Sequence, residues 1–184
     1  MAFGFAARSE DGIFNCLCVA DGGEVIASYD KIHPFSYGGE CEVFSAGDKP
    51  VEAEIRGVRV GLTICYDLRF PELYQKLSRE CRCIINIANW PEGRRAHWTA
   101  LLTARAIENQ SFIIGCNRCG SGGGLRYSGD SAIISPEGEV LAAAEPHREQ
   151  LVFAEVDAQL ADNYRKTFPV KNDRRNELYK QYYL

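Results

Sequence analysis

Residues 58–77 read "VRVGLTICYDLRFPELYQKL" and carry two different periodicities in succession. Apolar residues occupy every second position from residue 58 to residue 64, which is the pattern of a β-strand. From Phe70 onward they recur at i, i+3, i+4 and i+7, which is one face of an α-helix. Pro71 suits the first turn of that helix, where its missing N–H is not needed. The stretch therefore predicts a strand-to-helix turn, with Cys65 at the carboxyl end of the strand.

The chain that follows repeats this arrangement. "CIINIA" (83–88) is continuously apolar, as in strands that are buried on both faces. Residues 96–110 are rich in helix formers and predict a helix, and "FIIGC" (112–116) predicts another strand. We therefore expect a mixed sheet with helices packed against it.

The flanking regions predict hairpins, a long loop and a tail. Residues 13–29 and 131–144 each contain two apolar runs around a turn and predict β-hairpins. Residues 31–50 are rich in glycine and proline and predict an ordered loop, a feature that is usually functional at this length. Residues 151–157, "LVFAEVD", predict a last strand, and residues 158–184 predict an extended tail.

Polar or reactive residues follow three of the predicted strands. Cys65 follows the first, Asn89 and Trp90 follow the second, and Asn117 follows the third. In open sheets of this kind, ligands bind beyond the carboxyl ends of the strands. These positions are therefore the candidates for a functional site.

Composition and charge exclude several classes of protein. The 184 residues are 46% hydrophobic and 25% charged, which is ordinary globular composition. A net charge of −4 without a basic cluster argues against a nucleic-acid partner. No apolar run is long enough to cross a membrane, and the first residues do not resemble a signal peptide, so we expect a cytoplasmic protein. Its eight cysteines are then expected to be reduced thiols.

The position of Cys65 predicts a nucleophile. Helix N-terminal amides and a nearby cation would lower its pKa and favour the thiolate. The alternative is that Cys65 is an ordinary core thiol, since free cysteine is among the most buried residue types. "CNRC" (116–119) is a C-x-x-C motif, but no second ligand pair accompanies it, so we predict neither a metal nor a cofactor.

Several longer segments together resemble the nitrilase superfamily of carbon–nitrogen hydrolases. They are "YDKIHPF", "GLTICYDLRFPEL", "WPEGRRAHW", "ARAIENQ" and "GDSAIISPEGEVLA". The resemblance covers essentially the whole chain and is strongest to the bacterial ω-amidase-type branch. It implies an α+β fold, a nitrilase-like four-layer αββα sandwich that is truncated at its N-terminus. Residues 1–184 would form a single carbon–nitrogen hydrolase domain, or the C-terminal portion of one.

The resemblance also implies roles for individual residues. Cys65 matches the family's nucleophile, and Lys31 matches the cation beside the developing oxyanion. The spacing of the loop that follows Lys31 assigns the supporting glutamate to Glu40 rather than Glu42. The backbone N–H of Tyr66 would be the second oxyanion donor.

The implied activity is hydrolysis of a small ω-amide, the monoamide of a dicarboxylate such as α-ketoglutaramate, through a thioester on the cysteine. Asn89 and Trp90 are expected to contact the substrate. Four arginines are candidates for binding its carboxylate, and the sequence does not choose among them: Arg69, Arg94, Arg95 and Arg118.

One family feature has no match in the sequence. The triad glutamate that acts as general base belongs to a region preceding the hairpin, and nothing in "MAFGFAARSEDG" matches its motif. The 184-residue chain by itself is therefore predicted to be nearly inactive. The alternative function is that of a catalytically impaired homologue acting as an oligomerisation or interaction module. In either case we expect a homodimer or a higher homo-oligomer.

Overall fold

The computed structural model describes residues 1–183, and it describes the side chains of residues 1–182. The strands are β1 (Ala2–Ser9), β2 (Gly12–Asp21), β3 (Glu24–Asp30), β4 (Glu52–Ile55), β5 (Val58–Ile64), β6 (Cys83–Ala88), β7 (Phe112–Asn117), β8 (Cys119–Gly122), β9 (Leu125–Ser128), β10 (Ala132–Ile134) and β11 (Val140–Ala143). The α-helices are α1 (Pro71–Leu77), α2 (Arg95–Asn109), α3 (Ala158–Thr167) and α4 (Asn176–Tyr183).

A six-stranded sheet in the order β11-β10-β7-β6-β5-β4 forms the centre of the molecule. Its middle strands β5, β6 and β7 are parallel, β4 and β10 run antiparallel to them, and β11 is antiparallel to its neighbour β10. The predicted alternation of strands and helices is thus confirmed. Ile64 pairs with Ile87, and Ile87 pairs with Cys116, so the three parallel strands end at one edge. Cys65 and Asn89 follow directly at this edge.

The central sheet is covered on both faces by apolar packing. Helices α1 and α2 cover one face, where Tyr74, Trp98 and Leu102 are almost completely buried. A three-stranded antiparallel sheet, β1-β2-β3, covers the other, where Leu17 packs against the cluster that contains Leu62. The architecture is α+β with two sheets face to face, consistent with the expected sandwich.

Strand β1 has no counterpart among the elements that we expected from the sequence. Residues 2–9 pair antiparallel with β2 along their full length. A Cβ placed on Gly4 would lie 2.7 Å from Cδ1 of Ile87, which shows how closely β1 approaches the central sheet.

The strand predicted over residues 151–157 is absent. These residues pair with no strand within the described part of the chain, and Leu151 and Phe153 are 82% and 80% exposed. The alternation of apolar residues gave the segment strand propensity, but a strand also needs an edge that accepts its backbone hydrogen bonds.

The predicted extended tail is also wrong, because most of it is helical. Asp157 caps α3 by accepting a hydrogen bond from the N–H of Gln159 at 2.9 Å. Arg165 on α3 donates to the carbonyl oxygens of Cys81, Asn109 and Gln110, so the helix is held against the segments that connect the core elements.

None of the helices within residues 1–183 has the length and hydropathy needed to span a bilayer.

The predicted long loop is ordered and contains two short 3-10 helices, Ser36–Gly38 and Glu40–Glu42. Its return to the sheet depends on Gly47, whose N–H donates to the carbonyl oxygen of Lys31 at 2.8 Å. A Cβ on Gly47 would lie 2.1 Å from the carbonyl oxygen of Asp30. Backbone cannot move aside as a flexible side chain can, so this approach requires glycine.

The substitution Gly47→Ala is therefore expected to lower the free energy of unfolding by about 1–3 kcal/mol, as overpacking does elsewhere. Gly93→Ala is the control, because a Cβ at that position meets nothing within 4 Å. Urea unfolding of the two variants measures the difference. Equal midpoints for Gly47→Ala and Gly93→Ala would show that the loop does not depend on this contact.

Candidate active site

Cys65 lies where β5 ends and a 3-10 helix, Cys65–Arg69, begins. Its φ of 47° is in the left-handed region, which residues other than glycine rarely occupy. Strained backbone of this kind persists where the surrounding structure holds it, and it clusters at functional sites. The conformation turns the chain sharply at the edge of the sheet, where the residue keeps part of its surface exposed while its sulfur is removed from water.

Lys31 and Glu40 form an ion pair in the same cavity as Cys65. Nζ of Lys31 is 2.6 Å from Oε2 of Glu40, and the lysine side chain is only 3% exposed. Glu40 also accepts hydrogen bonds from Nδ2 of Asn15 at 2.8 Å and from the N–H of Phe35 at 2.6 Å. The structure thus brings together the three residues that the resemblance assigned to catalysis.

The hydrogen bonds determine the charge of Glu40. Burial acts to raise the pKa of this carboxyl group, but the hydrogen bonds from Lys31, Asn15 and Phe35 outweigh it and hold the pKa below its ordinary value. Glu40 is therefore an ionised carboxylate with both oxygens occupied. It positions and balances the Lys31 ammonium and is a poor acceptor for a further proton.

The expectation of a lowered thiol pKa at Cys65 is wrong. Burial raises the pKa of the Cys65 thiol, and the charges of Glu40 and Asp67 raise it further. The Lys31 ammonium and the backbone N–H of Asn89 lower it, but only in part. The sequence showed which groups would be near the sulfur, but it did not show how far the sulfur would be removed from water. Cys65 therefore rests as a neutral thiol at neutral pH.

Asp67 is a buried organising residue whose role the sequence analysis did not identify. Its Oδ2 accepts hydrogen bonds from the Tyr29 hydroxyl at 2.8 Å and from the N–H of Ile64 at 2.9 Å. Its Oδ1 contacts the backbone N–H of His33 at 3.1 Å and Nδ1 of the same residue at 2.8 Å. Asp67 thereby joins the end of β5 to the segment that carries Lys31. Its position two residues after a candidate nucleophile was the only available signal.

A second, narrower cleft also opens at Cys65, and we call it the arginine cleft. It has an empty volume of about 600 Å³. Its lining residues are Phe35, Gly38, Cys65, Tyr66, Arg69, Asn89, Trp90, Pro91, Arg94, Leu125 and Tyr127. The predicted substrate-binding residues Tyr66, Asn89 and Trp90 thus share one cleft with the thiol. Their roles in binding remain predictions.

Trp90 is the rigid wall of the arginine cleft. Its side chain is 3% exposed, and its backbone N–H donates to Oδ1 of Asn117 at 2.7 Å. Its indole Nε1 donates to the carbonyl oxygen of Arg94 at 2.8 Å. The ends of β6 and β7 and the loop that begins α2 are thereby held to one another.

The structure separates the four candidate arginines into two groups. Arg69 and Arg94 line the arginine cleft. Arg95 instead points to Asp130, with 2.7 Å between Nη2 and Oδ1, and Arg118 stacks on Tyr127 with its guanidinium 4.5 Å from the ring centre. Arg69 and Arg94 are therefore placed to meet a ligand in this cleft, whereas Arg118 lines the wide cavity that also opens at Cys65.

The described residues contain no cluster of histidine, cysteine and carboxylate side chains that could hold a metal ion. In "CNRC", Cys116 is exposed and lines the wide cavity, whereas Cys119 is half-buried on β8.

Relatives with related chemistry resemble this chain over most of its length. It is 41% identical to the omega-amidase YafV of Escherichia coli over 169 residues, which cover 91% of this chain and 66% of that protein. It is 41% identical to the 2-oxoglutaramate amidase of Bacillus subtilis over 177 residues, which cover 95% of this chain and 68% of the other. The chain thus spans about two thirds of the length of these relatives.

A solved structure and a family model also resemble this chain over most of its length. A carbon–nitrogen hydrolase superfamily protein of Xanthomonas campestris, solved with an arsenic adduct in its active site, superimposes with a TM-score of 0.86 at 35% identity. That match covers 93% of this chain and 67% of the other. The family model for carbon–nitrogen hydrolases matches residues 1–166. The chain belongs to the carbon–nitrogen hydrolase family, in the nitrilase superfamily.

Proposed function

We propose that this protein contributes the catalytic cysteine of an amidase that hydrolyses the monoamide of a small dicarboxylate, such as α-ketoglutaramate. The observation that carries the proposal is the position of Cys65, which lines both the cavity of the Lys31–Glu40 pair and the arginine cleft. The names of the omega-amidase and 2-oxoglutaramate amidase relatives support the same substrate class. We propose that residues 1–184 belong to a single domain with this activity.

The proposed reaction begins when the Cys65 sulfur attacks the amide carbon. The C=O bond opens, and the negative charge that forms on oxygen is stabilised by the Lys31 ammonium and by the N–H of Tyr66. The C–N bond then breaks, the nitrogen leaves as ammonia after receiving a proton, and a thioester remains on Cys65. Water hydrolyses the thioester and releases the carboxylate. Removal of one oxyanion donor typically lowers the rate about 10² to 10³-fold.

The thiol proton needs an acceptor, and the two carboxylates that act on Cys65 are both engaged. Glu40 is held by three donors, and Asp67 by contacts to Tyr29, Ile64 and His33. We therefore propose that the base is supplied from outside residues 1–183, in agreement with the resemblance, which places the triad glutamate upstream of the hairpin. Turnover by the 184-residue chain alone is then slow.

The same two observations, the raised thiol pKa and the engaged carboxylates, favour one alternative function. In it, the protein is a catalytically impaired interaction module. Ammonia release that depends on Cys65 distinguishes the two functions.

Ammonia release from α-ketoglutaramate by the 184-residue chain is expected to be measurable and to disappear in Cys65→Ala. Lys31→Met is expected to lower the rate about 10² to 10³-fold, because it removes a donor to the oxyanion. Cys119→Ala is the control, since this thiol lines neither cavity. Ammonia release that persists in Cys65→Ala, or equal loss in Cys119→Ala, would contradict the proposed chemistry.

The pH dependence of alkylation tests the protonation state of Cys65. Because burial raises the folded pKa of Cys65 above that of an ordinary cysteine, about 8.5, the thiolate fraction is small at neutral pH and continues to grow above about pH 9. The rate of iodoacetamide modification at Cys65, followed by mass spectrometry of its peptide, should therefore keep rising beyond pH 9. Lys31→Met should shift the profile to still higher pH, since the ammonium favours the thiolate. A plateau at or below pH 8 in the unsubstituted chain would refute the neutral resting state.

We also propose that the protein is at least a homodimer. Ile107 on α2 and Val140 on β11 are 49% and 54% exposed, and the turn at Gly138 brings the hairpin beside Ile107. Burial of this apolar patch between two copies would remove it from water. Light scattering should give a mass of at least twice 20.5 kDa, and Ile107→Lys should lower it. A monomeric mass across micromolar concentrations would exclude the dimer.

The location that we propose is the cytoplasm. All eight cysteines are free thiols, as expected in a reducing compartment.

A further inference from the structure

The arginine cleft is positively charged. Two of its lining side chains are cationic, Arg69 and Arg94, and none is acidic. The remaining walls are mainly aromatic or aliphatic, and they include Trp90, Leu125 and Tyr127. A cleft with two positive charges between apolar walls favours a ligand that is small and anionic, because charges are screened less there than on an open surface.

Arg69 is held in place before any ligand binds. Its guanidinium carbon lies 4.7 Å from the ring centre of Trp90 and 5.9 Å from that of Tyr66. Its Nη2 donates to Nδ1 of His97 at 3.1 Å. Stacking fixes the plane of the guanidinium while leaving the other N–H groups at its edge available, and this geometry suits a carboxylate.

Arg94, in the segment that leads into α2, is also held by contacts with the protein. Trp90 fixes its backbone through the bond from Nε1 to the carbonyl oxygen, and the guanidinium lies 5.5 Å from the ring centre of Phe35. Neither Arg94 nor Arg69 forms an ion pair with a carboxylate of residues 1–183. Nearby arginines do so: Arg95 pairs with Asp130, and Arg126 pairs with Glu92 at 3.4 Å.

We infer that Arg69 and Arg94 together bind the carboxylate of the substrate while its amide lies at Cys65. The inference rests on the proposed function and deepens it, because it assigns the specificity for amides that carry a carboxylate to two named side chains. The ligand class is an unbranched ω-amide acid whose carboxylate reaches both guanidinium groups. Arg69 follows the nucleophile by four residues, so the catalytic turn and the binding group belong to one short segment.

The test measures binding, so that it does not depend on turnover. Cys65→Ala protein is titrated by calorimetry with glutaramate and with pentanamide, which has the same chain length and no carboxylate. Glutaramate should bind at least about tenfold more tightly, since hydrogen bonds to charged groups are stronger than neutral ones. Its affinity should fall as salt is added, and that of pentanamide should not.

Arg69→Gln and Arg94→Gln, each placed in the Cys65→Ala protein, should weaken glutaramate binding about tenfold or more without changing pentanamide binding. Arg126→Gln is the matched control, because this arginine lies on β9 between two residues that line the cleft but is itself 74% exposed. Circular dichroism and thermal unfolding confirm that each variant is folded.

The results separate the inference from the proposed function. Equal affinity for the two amides, glutaramate binding that survives both arginine substitutions, or no binding of glutaramate would overturn the carboxylate site. These outcomes leave open whether Cys65 hydrolyses amides, which the ammonia assay decides. Conversely, selective glutaramate binding together with absence of Cys65-dependent ammonia release would retain the site and refute the amidase.

Discussion

The buried carboxylate of Asp67 is the constraint on which the arrangement of the site depends. It accepts hydrogen bonds from the end of β5 and from the segment after β3, two parts of the chain that are distant in sequence. Burial raises the pKa of the Tyr29 phenol, and the Asp67 charge adds to this, so the hydroxyl remains a donor. The same hydroxyl accepts the N–H of Ile32 at 3.1 Å. Ile64, which precedes Cys65, donates to Asp67 directly, and Ile32, which follows Lys31, is linked to Asp67 through the Tyr29 hydroxyl.

This arrangement explains why "CYDLR" follows an apolar strand. The cysteine needs a strained turn, and Asp67 stabilises that turn by accepting the N–H of Ile64 just before it. His33 stacks on Phe70 with ring centres 3.8 Å apart, which adds an apolar contact between the same two segments. Arg69 completes the run by reaching into the arginine cleft. Cys65, Asp67 and Arg69 therefore have distinct structural tasks within the motif.

The sequence predicted those features that depend on local pattern. The strand from Val58, the helix from Pro71 and the parallel strands follow from periodicity, and the structure confirms them. The segment 151–157 fails as a strand because strand formation depends on a partner edge, which the pattern of one segment does not contain. The tail fails as an extended segment because α3 is held by bonds from Arg165 to distant carbonyl groups.

In the site, too, some features follow from the sequence and others depend on the folded chain. The resemblance indicated Cys65, Lys31 and Glu40, and the structure places them around one cavity. The thiol pKa was misjudged because it depends on burial, and the choice among the arginines stayed open because it depends on which cavity, carboxylate or aromatic ring each guanidinium reaches in the fold. Both are properties of the folded chain. Neither is encoded in the spacing of residues along it.

The charges around Cys65 bear on how the proposed amidase reaction distinguishes its transition state from the resting state. Burial raises the pKa of the Cys65 thiol, and the Lys31 ammonium that favours the thiolate is balanced in the wide cavity by Glu40, so the thiol stays neutral. In the proposed reaction Lys31 is a donor to the oxyanion, and preorganised donors act on charge that develops during the reaction. In the inferred binding mode, the two guanidinium groups of the arginine cleft offset the charge of a substrate carboxylate. On this proposal a substrate approaches without drawing Lys31 away from Glu40, and the ammonium remains available for the charge that appears when sulfur attacks.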